Sequence, residues 1–427
     1  MHSRLFSLLL CLSLPAIAAD KPSPTSIDKL VTTTLAANPE LKFYEAEIHA
    51  AKAGRRIAGK LPNPELSLDV GRMRVAGSDA TAEGLAYAAT LVQPIEWPGR
   101  LGLRKAIANG DIILAELGLA RFRSYLTGRV RVLGFALSMQ QQKAEAAAEV
   151  ANRYVSVRDV LVQRDPAGVT PLLETRIIEA AAVGVQRRAG EASVEMQKTL
   201  LELNQLMGKR ADSPLVVKRE EFGLTELPSL VSLLGQAAIQ NFDLRVRRAE
   251  LEQQGLKVAL AKNERYPTFS VGPSVSDQLP GERQTVVGIA ISVPLPFWNS
   301  GKANVEAAEA RRIQAEATLN AAFRETERRV TEAMLIVQTQ RQRLAGWKPD
   351  SLQSFSEAAV LADRHYRLGA VAVSSYLEMQ DRYLEAAEAI NETKLEVLQS
   401  ALELEQLIGT TKPFIKPLPE AKPALKP

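Results

Sequence analysis

Val287-Gly288-Ile289-Ala290-Ile291-Ser292-Val293 runs straight into Pro294-Leu295-Pro296-Phe297-Trp298-Asn299-Ser300-Gly301, and the stretch from Gly301 to Gly369 that follows is rich in Ala, Glu, Arg and Gln. The first segment alternates apolar and small residues with period two, the mark of a strand with one apolar and one polar face. Proline cannot donate to a ladder, so the strand stops there. The last segment is nearly free of glycine and proline until its end and reads as one very long helix. A helix of about 65 residues spans about 100 Å, whereas helices of ordinary globular domains run roughly 8–20 residues.

The same order occurs once before. Leu85, Tyr87, Ala89 and Leu91 alternate with Ala86, Ala88, Thr90 and Val92, the elbow is Pro94-Ile95-Glu96-Trp97-Pro98-Gly99, and a stretch of nearly equal length runs from Gly99 to Gly168. Each strand has a predecessor: Leu66, Leu68 and Val70 alternate with Ser67, Asp69 and Gly71, and Phe269, Val271 and Val275 with Ser270, Gly272, Ser274 and Ser276. A shorter, returning helical stretch follows each long one, from Gly168 to Gly208 and from Gly369 to Gly409. Asn38, Leu41, Ala46, Glu47, Ala58, Pro64 and Ser67 recur as Asn241, Leu244, Ala249, Glu250, Ala261, Pro267 and Ser270, and Leu203-Asn204-Gln205-Leu206-Met207-Gly208 recurs as Leu404-Glu405-Gln406-Leu407-Ile408-Gly409. A repeat this long is a duplicated domain and not a solenoid. The expected organisation is a first repeat over 20–208, a connector over 209–228 with strand character at Leu215-Val216-Val217, a second repeat over 229–409, and a Lys/Pro-rich tail over 410–427 read as disordered. Each repeat runs helix, strand, strand, long helix, helix. The opening helical pattern, from Ile27 towards Lys60, breaks near Asn38-Pro39 and ends at Pro62 and Pro64.

Residues 1–19 read as a secretory signal: Arg4, an apolar run from Leu5 to Leu14, and a small-residue site at Ala16-Ile17-Ala18 with cleavage after Ala18 or Ala19. The apolar run is shorter than the roughly 20 residues of a membrane-spanning helix. The only cysteine, Cys11, lies inside it, so the mature chain is expected to lack disulfides, a lipid anchor, thiol catalysis and cysteine metal sites. The formal charge of +4 comes from interspersed charges of both signs, the pattern of a solvated surface with no nucleic-acid partner.

For an exported chain, strands of about 9–11 residues with one apolar and one small, wet face have the length of tilted transmembrane strands. A soluble β-layer packed on helices has the same alternation. Four strands cannot close a membrane barrel, but three protomers contributing four each give twelve. The fold class expected is mainly α with transmembrane β: a trimeric 12-stranded outer-membrane β-barrel continuing into a periplasmic α-helical barrel. Trp97, Phe297 and Trp298 at the elbows then lie at the membrane–water boundary, where amphipathic rings concentrate; core aromatics at a domain corner are the alternative.

The turns between helices read Ala167-Gly168-Val169-Thr170-Pro171-Leu172-Leu173-Glu174 and Tyr366-Arg367-Leu368-Gly369-Ala370-Val371-Ala372-Val373-Ser374-Ser375-Tyr376-Leu377-Glu378. With the duplication and the elbows, they make the mature chain, tail excepted, resemble the TolC-type outer-membrane efflux family. The first turn resembles the Gly-x-Val-Ser/Thr-Pro-x-x-Glu turn of its heavy-metal, CzcC-like branch. The resemblance implies a homotrimeric channel in the outer membrane of a Gram-negative bacterium, with a large periplasmic part opened by a periplasmic adaptor and an inner-membrane RND pump. It implies adaptor docking at the tips, Gly168 with Val169 and Leu368 with Gly369, and a periplasmic aperture at Tyr366, Ser375 and Glu378. Family members often carry an acid where this chain has Ser375, and many carry an N-terminal lipid-anchored cysteine that this chain lacks. Three copies of Glu378 around one axis would make a cation-attracting ring; a solvated helical position is the plain alternative. The two glycines also fit simple helix termination.

No catalytic, cofactor or metal site stands out. His49 and His365 are isolated and lack ligand spacing. Gly54-Arg55-Arg56-Ile57-Ala58-Gly59-Lys60-Leu61 nearly fits a phosphate loop, but it lacks the final Ser/Thr and precedes a strand that it should follow. The expected function is a non-enzymatic efflux conduit, for divalent heavy-metal cations. A drug or organic-solute channel is the alternative within the class, and a periplasmic adaptor or helical scaffold the alternative outside it.

Overall fold

The structure is a computed structural model that describes residues 24–76, 81–164, 169–220, 222–279, 283–347, 351–410 and 413–417. The expected signal over 1–19, most of the expected linker, Gly168 and most of the tail lie outside the described residues. In chain order the elements are α1 (Ile27–Ala37), α2 (Glu40–Ala58), β1 (Glu65–Ala76), β2 (Thr81–Ile95), α3 (Arg100–Arg164), α4 (Val169–Leu206), β3 (Phe222–Leu224), α5 (Leu230–Gln240), α6 (Phe242–Glu264), β4 (Phe269–Gln278), β5 (Gln284–Ser292), α7 (Lys302–Ala345), α8 (Ser351–Arg367), α9 (Val373–Ile408) and β6 (Ile415–Pro417).

The repeated sequence signatures meet in space. Asn38 donates from Nδ2 to the Leu206 carbonyl at 2.8 Å and accepts the Glu40 N–H on Oδ1 at 2.9 Å. Its equivalent Asn241 donates to the Leu407 carbonyl at 2.7 Å and accepts the Leu244 N–H at 3.0 Å. One side chain thus caps the second helix of its repeat and ties it to the end of the last. Gly208 and Gly409, with φ of +64° and +65°, end those last helices in the left-handed region. A Cβ at Gly409 would lie 2.4 Å from the Gln240 carbonyl oxygen, so nothing larger fits against the α5–α6 corner.

The strands form one antiparallel sheet in the order β1-β2-β4-β5. Leu68 faces Ala89, Ala89 faces Val275, and Val275 faces Val287, which carries one apolar face across all four strands. Ser67 faces Thr90, Thr90 faces Ser274, and Ser274 faces Gly288 on the other. The apolar face is bare in the protomer: Val70 is 81% and Val287 78% exposed. The strands β1 and β5 are the free edges.

Below the sheet the helices bury two cores. One gathers Leu126, Val130, Leu203, Leu233, Val330 and Leu398 from α3, α4, α5, α7 and α9. The other, near the α8–α9 turn, gathers Val150, Tyr154, Ile178, Ala359 and Tyr376. No helix among the described residues is long and apolar enough to cross a membrane.

Three expectations need correction. The stretch from Gly301 to Gly369 is not one helix: α7 ends at Ala345 and α8 begins at Ser351. The Gly346 N–H turns back onto the Gln342 and Arg343 carbonyls, and Trp347 onto Leu344, so the ladder closes on itself. The connector pairs at Val217 only through a single parallel bridge to Thr25, and its strand is β3. The tail is ordered over 413–417, where Phe414 and Ile415 are buried and β6 pairs with β3.

That tail is held by Glu405, whose buried carboxylate accepts the Phe414 N–H. The equivalent Asn204 reaches the Ala211 and Ser213 carbonyls, so one position anchors the outgoing chain of both repeats. Burial pushes the Glu405 carboxyl above its ordinary value of 4.5, against the Phe414 and Ile415 N–H groups and the Arg131 charge. A raised folded value gives stability that is full below the unfolded pKa and is lost as pH rises through the folded one. The stability of the wild type relative to Glu405→Gln is therefore expected to fall as pH rises from 4 to 7, measured as the difference in melting temperature of purified protein at each pH.

Candidate functional site

The first elbow is built around Arg100, the first residue of α3. Gly99 turns the chain at φ +87°, which leaves the Arg100 guanidinium inside the corner, 8% exposed. It donates from Nε to Asn263 Oδ1 at 3.0 Å, from Nη1 to Thr268 Oγ1 at 2.7 Å, and from Nη2 to the Asn263 and Tyr266 carbonyls at 3.0 and 2.7 Å. The four acceptors lie at the end of α6 and in the turn from it to β4, so one side chain of the first repeat shapes the second repeat's approach to the sheet. Trp97 stacks on Tyr266 with ring centroids 4.6 Å apart and planes 10° apart. The second elbow lacks such cover. Phe297 and Trp298 touch each other edge to face at 6.2 Å and are 77% and 96% exposed.

At the far end of the sheet Asp277 lies on the apolar side, accepting the Tyr87 hydroxyl at 2.6 Å and the Thr285 hydroxyl at 3.1 Å and pairing with Arg283 at 2.5 Å. An isolated carboxylate there would be costly, and this one is paired and hydrogen-bonded. Sequence reading missed it. The signal was available as an acid at an apolar-face position of β4, directly opposite Tyr87 and Thr285.

The other candidate region is the α8–α9 turn. Gly369 has φ +73°; its N–H bonds to the Tyr366 carbonyl at 2.9 Å, and the Ala370 N–H to that of His365 at 2.9 Å, which closes α8 in a left-handed cap. Leu368 stands out at 71% exposed. On the neighbouring turn Val169 opens α4, while Gly168 lies outside the described residues.

Tyr366 does not face open space in the protomer. Its ring stacks on Tyr376 at 5.0 Å with planes 9° apart, and its hydroxyl donates to Glu174 at 3.1 Å. Tyr376 meets Tyr154 edge-on at 5.8 Å. Burial pushes the hydroxyls of Tyr154 and Tyr376 well above the usual tyrosine range, so both stay protonated. Polar ties join the hairpin to α3: Arg153 donates to Gln380 at 3.1 Å, and Arg367 to Ser156 at 3.1 Å. Ser375 and Glu378 are exposed, one helical turn apart on α9. The Glu378 carboxylate lies 4.0 Å from Arg382, which also pairs with Glu385 at 2.9 Å. Among the described residues no group of three or more His, Cys, Asp or Glu could hold a metal ion.

The sequence matches the family described as outer membrane efflux protein over residues 30–209 and 233–410. It is 24% identical, over 298 residues, to the cobalt-zinc-cadmium resistance protein CzcC of Cupriavidus metallidurans, a match covering 69% of this chain and 68% of that protein. The fold is similar to the CmeC outer membrane channel of Campylobacter jejuni, with a TM-score of 0.72 at 17% identity over 96% of this chain and 93% of that one. It is also similar to a membrane protein from Pseudomonas aeruginosa, with a TM-score of 0.73 at 18% identity over 90% and 93% of the two chains.

Proposed function

The chain belongs to the outer membrane efflux protein family, and we propose that three copies close a 12-stranded barrel which continues into a periplasmic helical barrel and conducts divalent heavy-metal cations out of the cell. One observation carries the assembly: a four-stranded sheet with a bare apolar face, a small polar face and two free edges. The apolar face suits lipid, the polar face suits a wet lumen, and closure removes the edges. The two repeats, 20–208 and 229–409 about the connector 209–228, supply one hairpin each.

The metal assignment rests on the similarity to CzcC. Glu378 and Ser375, exposed on α9, are assigned to the periplasmic aperture, where three copies of the carboxylate would draw cations without binding them tightly. Tyr366 acts there from beneath, by fixing the hairpin to Glu174. Gly168, Val169, Leu368 and Gly369 are assigned to docking of a periplasmic adaptor, which links the channel to an inner-membrane RND pump. Trp97, Phe297 and Trp298 are assigned to the boundary between lipid and periplasm. The channel performs no chemistry; the pump supplies the energy.

Deleting the gene should increase sensitivity to divalent metals, and restoring it should reverse the change. A rise confined to drugs or organic solutes would overturn the metal assignment and leave the channel assignment in place.

A further inference from the structure

On the face of the sheet assigned above to lipid, charge is confined to the end farthest from the elbows. The residues on that face are apolar from Leu66 to Val70 in β1 and from Val287 to Ile291 in β5. Beyond them the same face carries Arg72 and Arg74 in β1, Glu83 in β2 and Asp277 in β4, with Arg283, just before β5, reaching Asp277. Three arginines against two acids leave this rim, among the described residues, with a net positive charge.

Both acids already have partners. Glu83 pairs with Arg74 at 3.2 Å. Asp277, its side chain 4% exposed, is enclosed by Tyr87, Thr285 and Arg283. Arg72 is different: it lies opposite Leu85, so no carboxylate faces it across the ladder. The strand β5 forms the other edge of the sheet and contains no acid that barrel closure could bring to Arg72. Arg72 is exposed, and the Arg283 side chain is 67% exposed even while bonded to Asp277. A guanidinium carries five donors, so one carboxylate leaves several of them for a second acceptor.

The two arginines share one level. Arg72 pairs in register with Leu85, the Leu279 N–H bonds to the Leu85 carbonyl at 3.0 Å, and Arg283 adjoins the Gln278–Gln284 pair. Arg72 and Arg283 therefore flank Leu85 and Leu279, both exposed, across three strand spacings, about 14 Å in all. The height of this row decides what surrounds it. Leu85 is about ten residues along β2 from Ile95 at the elbow; at about 3.3 Å per residue and a tilt of about 40°, the row stands about 25 Å from the elbow, the height of the apolar band of an outer-membrane barrel. The elbows lead into the helices on the periplasmic side, so the row lies at the headgroups of the outer leaflet.

We propose that Arg72 and Arg283 hold a glycolipid of the outer leaflet whose headgroup carries two phosphates, with its acyl chains against Leu85, Leu279 and the apolar residues below. The inference rests on the barrel reading given above. Charge selects a phosphorylated lipid over an uncharged one, and the planar fork of arginine matches phosphate in bidentate fashion. Spacing selects the headgroup. Two separated phosphates meet both side chains where they stand, whereas a single phosphate would have to draw them together across Leu85 and Leu279. Asp277 is a positioning residue, since it holds the Arg283 guanidinium at the edge of the apolar face.

Native mass spectrometry of the detergent-purified oligomer, titrated with diphosphoryl lipid A, reads the contact. The wild type should bind this probe more tightly than monophosphoryl lipid A and more tightly than phosphatidylglycerol. Arg72→Ala should weaken binding about tenfold, the low end of what a hydrogen bond to a charged group contributes, and should remove the preference for two phosphates over one. Arg72→Lys should restore part of the binding. Arg210→Ala, which removes an exposed arginine of the connector, should bind like the wild type. Undiminished binding by Arg72→Ala, or equal binding of phosphatidylglycerol, in a protein that still forms a heat-sensitive oligomer in the outer membrane would overturn the glycolipid site and leave the channel reading standing. Recovery of the unmodified protein only as a soluble monomer would overturn the barrel reading and this site with it.

Discussion

Arg100→Ala should cost the protomer about 1.5–3 kcal/mol, the range for hydrogen bonds made by a charged donor. The guanidinium satisfies four acceptors at the end of α6 and in the turn that starts the second repeat's hairpin. The alanine leaves the Thr268 hydroxyl and the Tyr266 carbonyl without that donor beside the Trp97–Tyr266 stack, while the Asn263 carbonyl keeps the Tyr266 N–H; acceptors left without a partner cost more than the bond itself contributed. Thermal unfolding in detergent, followed by far-ultraviolet circular dichroism, should show the loss. Arg100→Lys should recover only part of it, because a single ammonium cannot span acceptors arranged for a planar fork. A melting temperature for Arg100→Ala equal to that of the wild type would show that the turn holds its shape unaided.

Tyr376→Ala should have a larger, local effect at the other end of the molecule. The ring is fully buried between Tyr366 and Tyr154, and truncating a buried aromatic costs about 3–5 kcal/mol. The loss falls on the core that joins the α8–α9 hairpin to α3 and α4, so that region is expected to open first. Amide exchange over 359–384 should accelerate by about 10²–10⁴-fold, at one decade per 1.4 kcal/mol. The core that includes Leu126 and Leu398 should exchange at its wild-type rate. Tyr376→Phe keeps both ring contacts and should exchange like the wild type. Uniform acceleration along the chain in Tyr376→Ala would mean that the hairpin has no separate stability.

What was legible in the sequence was whatever is written in period and punctuation. Alternation gave the four strands, and proline with glycine gave the elbows at Pro94 to Gly99 and Pro294 to Gly301. The recurrence of Asn38 as Asn241 marked a shared position, and the fold shows what it shares: a bond to the Leu206 or Leu407 carbonyl inside the other recurring motif. The helix break at Gly346 was hidden because a lone glycine and a lone proline hardly change the composition of so long a stretch, and the break depends on where the turn closes. The lysine–proline rhythm of the tail concealed Phe414 and Ile415, whose place depends on Glu405 and on β3. The Arg100 network was out of reach, since its partners lie 163–168 residues away. At the turn, the family resemblance pointed to Tyr366, but only the fold shows that its ring packs inward while Ser375 and Glu378 are exposed.

The shared barrel is tested most directly by fractionating cells that make the protein and running the outer-membrane fraction on a gel with and without boiling. The account predicts a trimer in that fraction which collapses to a monomer on heating. A monomer in the soluble periplasm would contradict it, because the bare apolar face of the sheet would then face neither lipid nor a second copy.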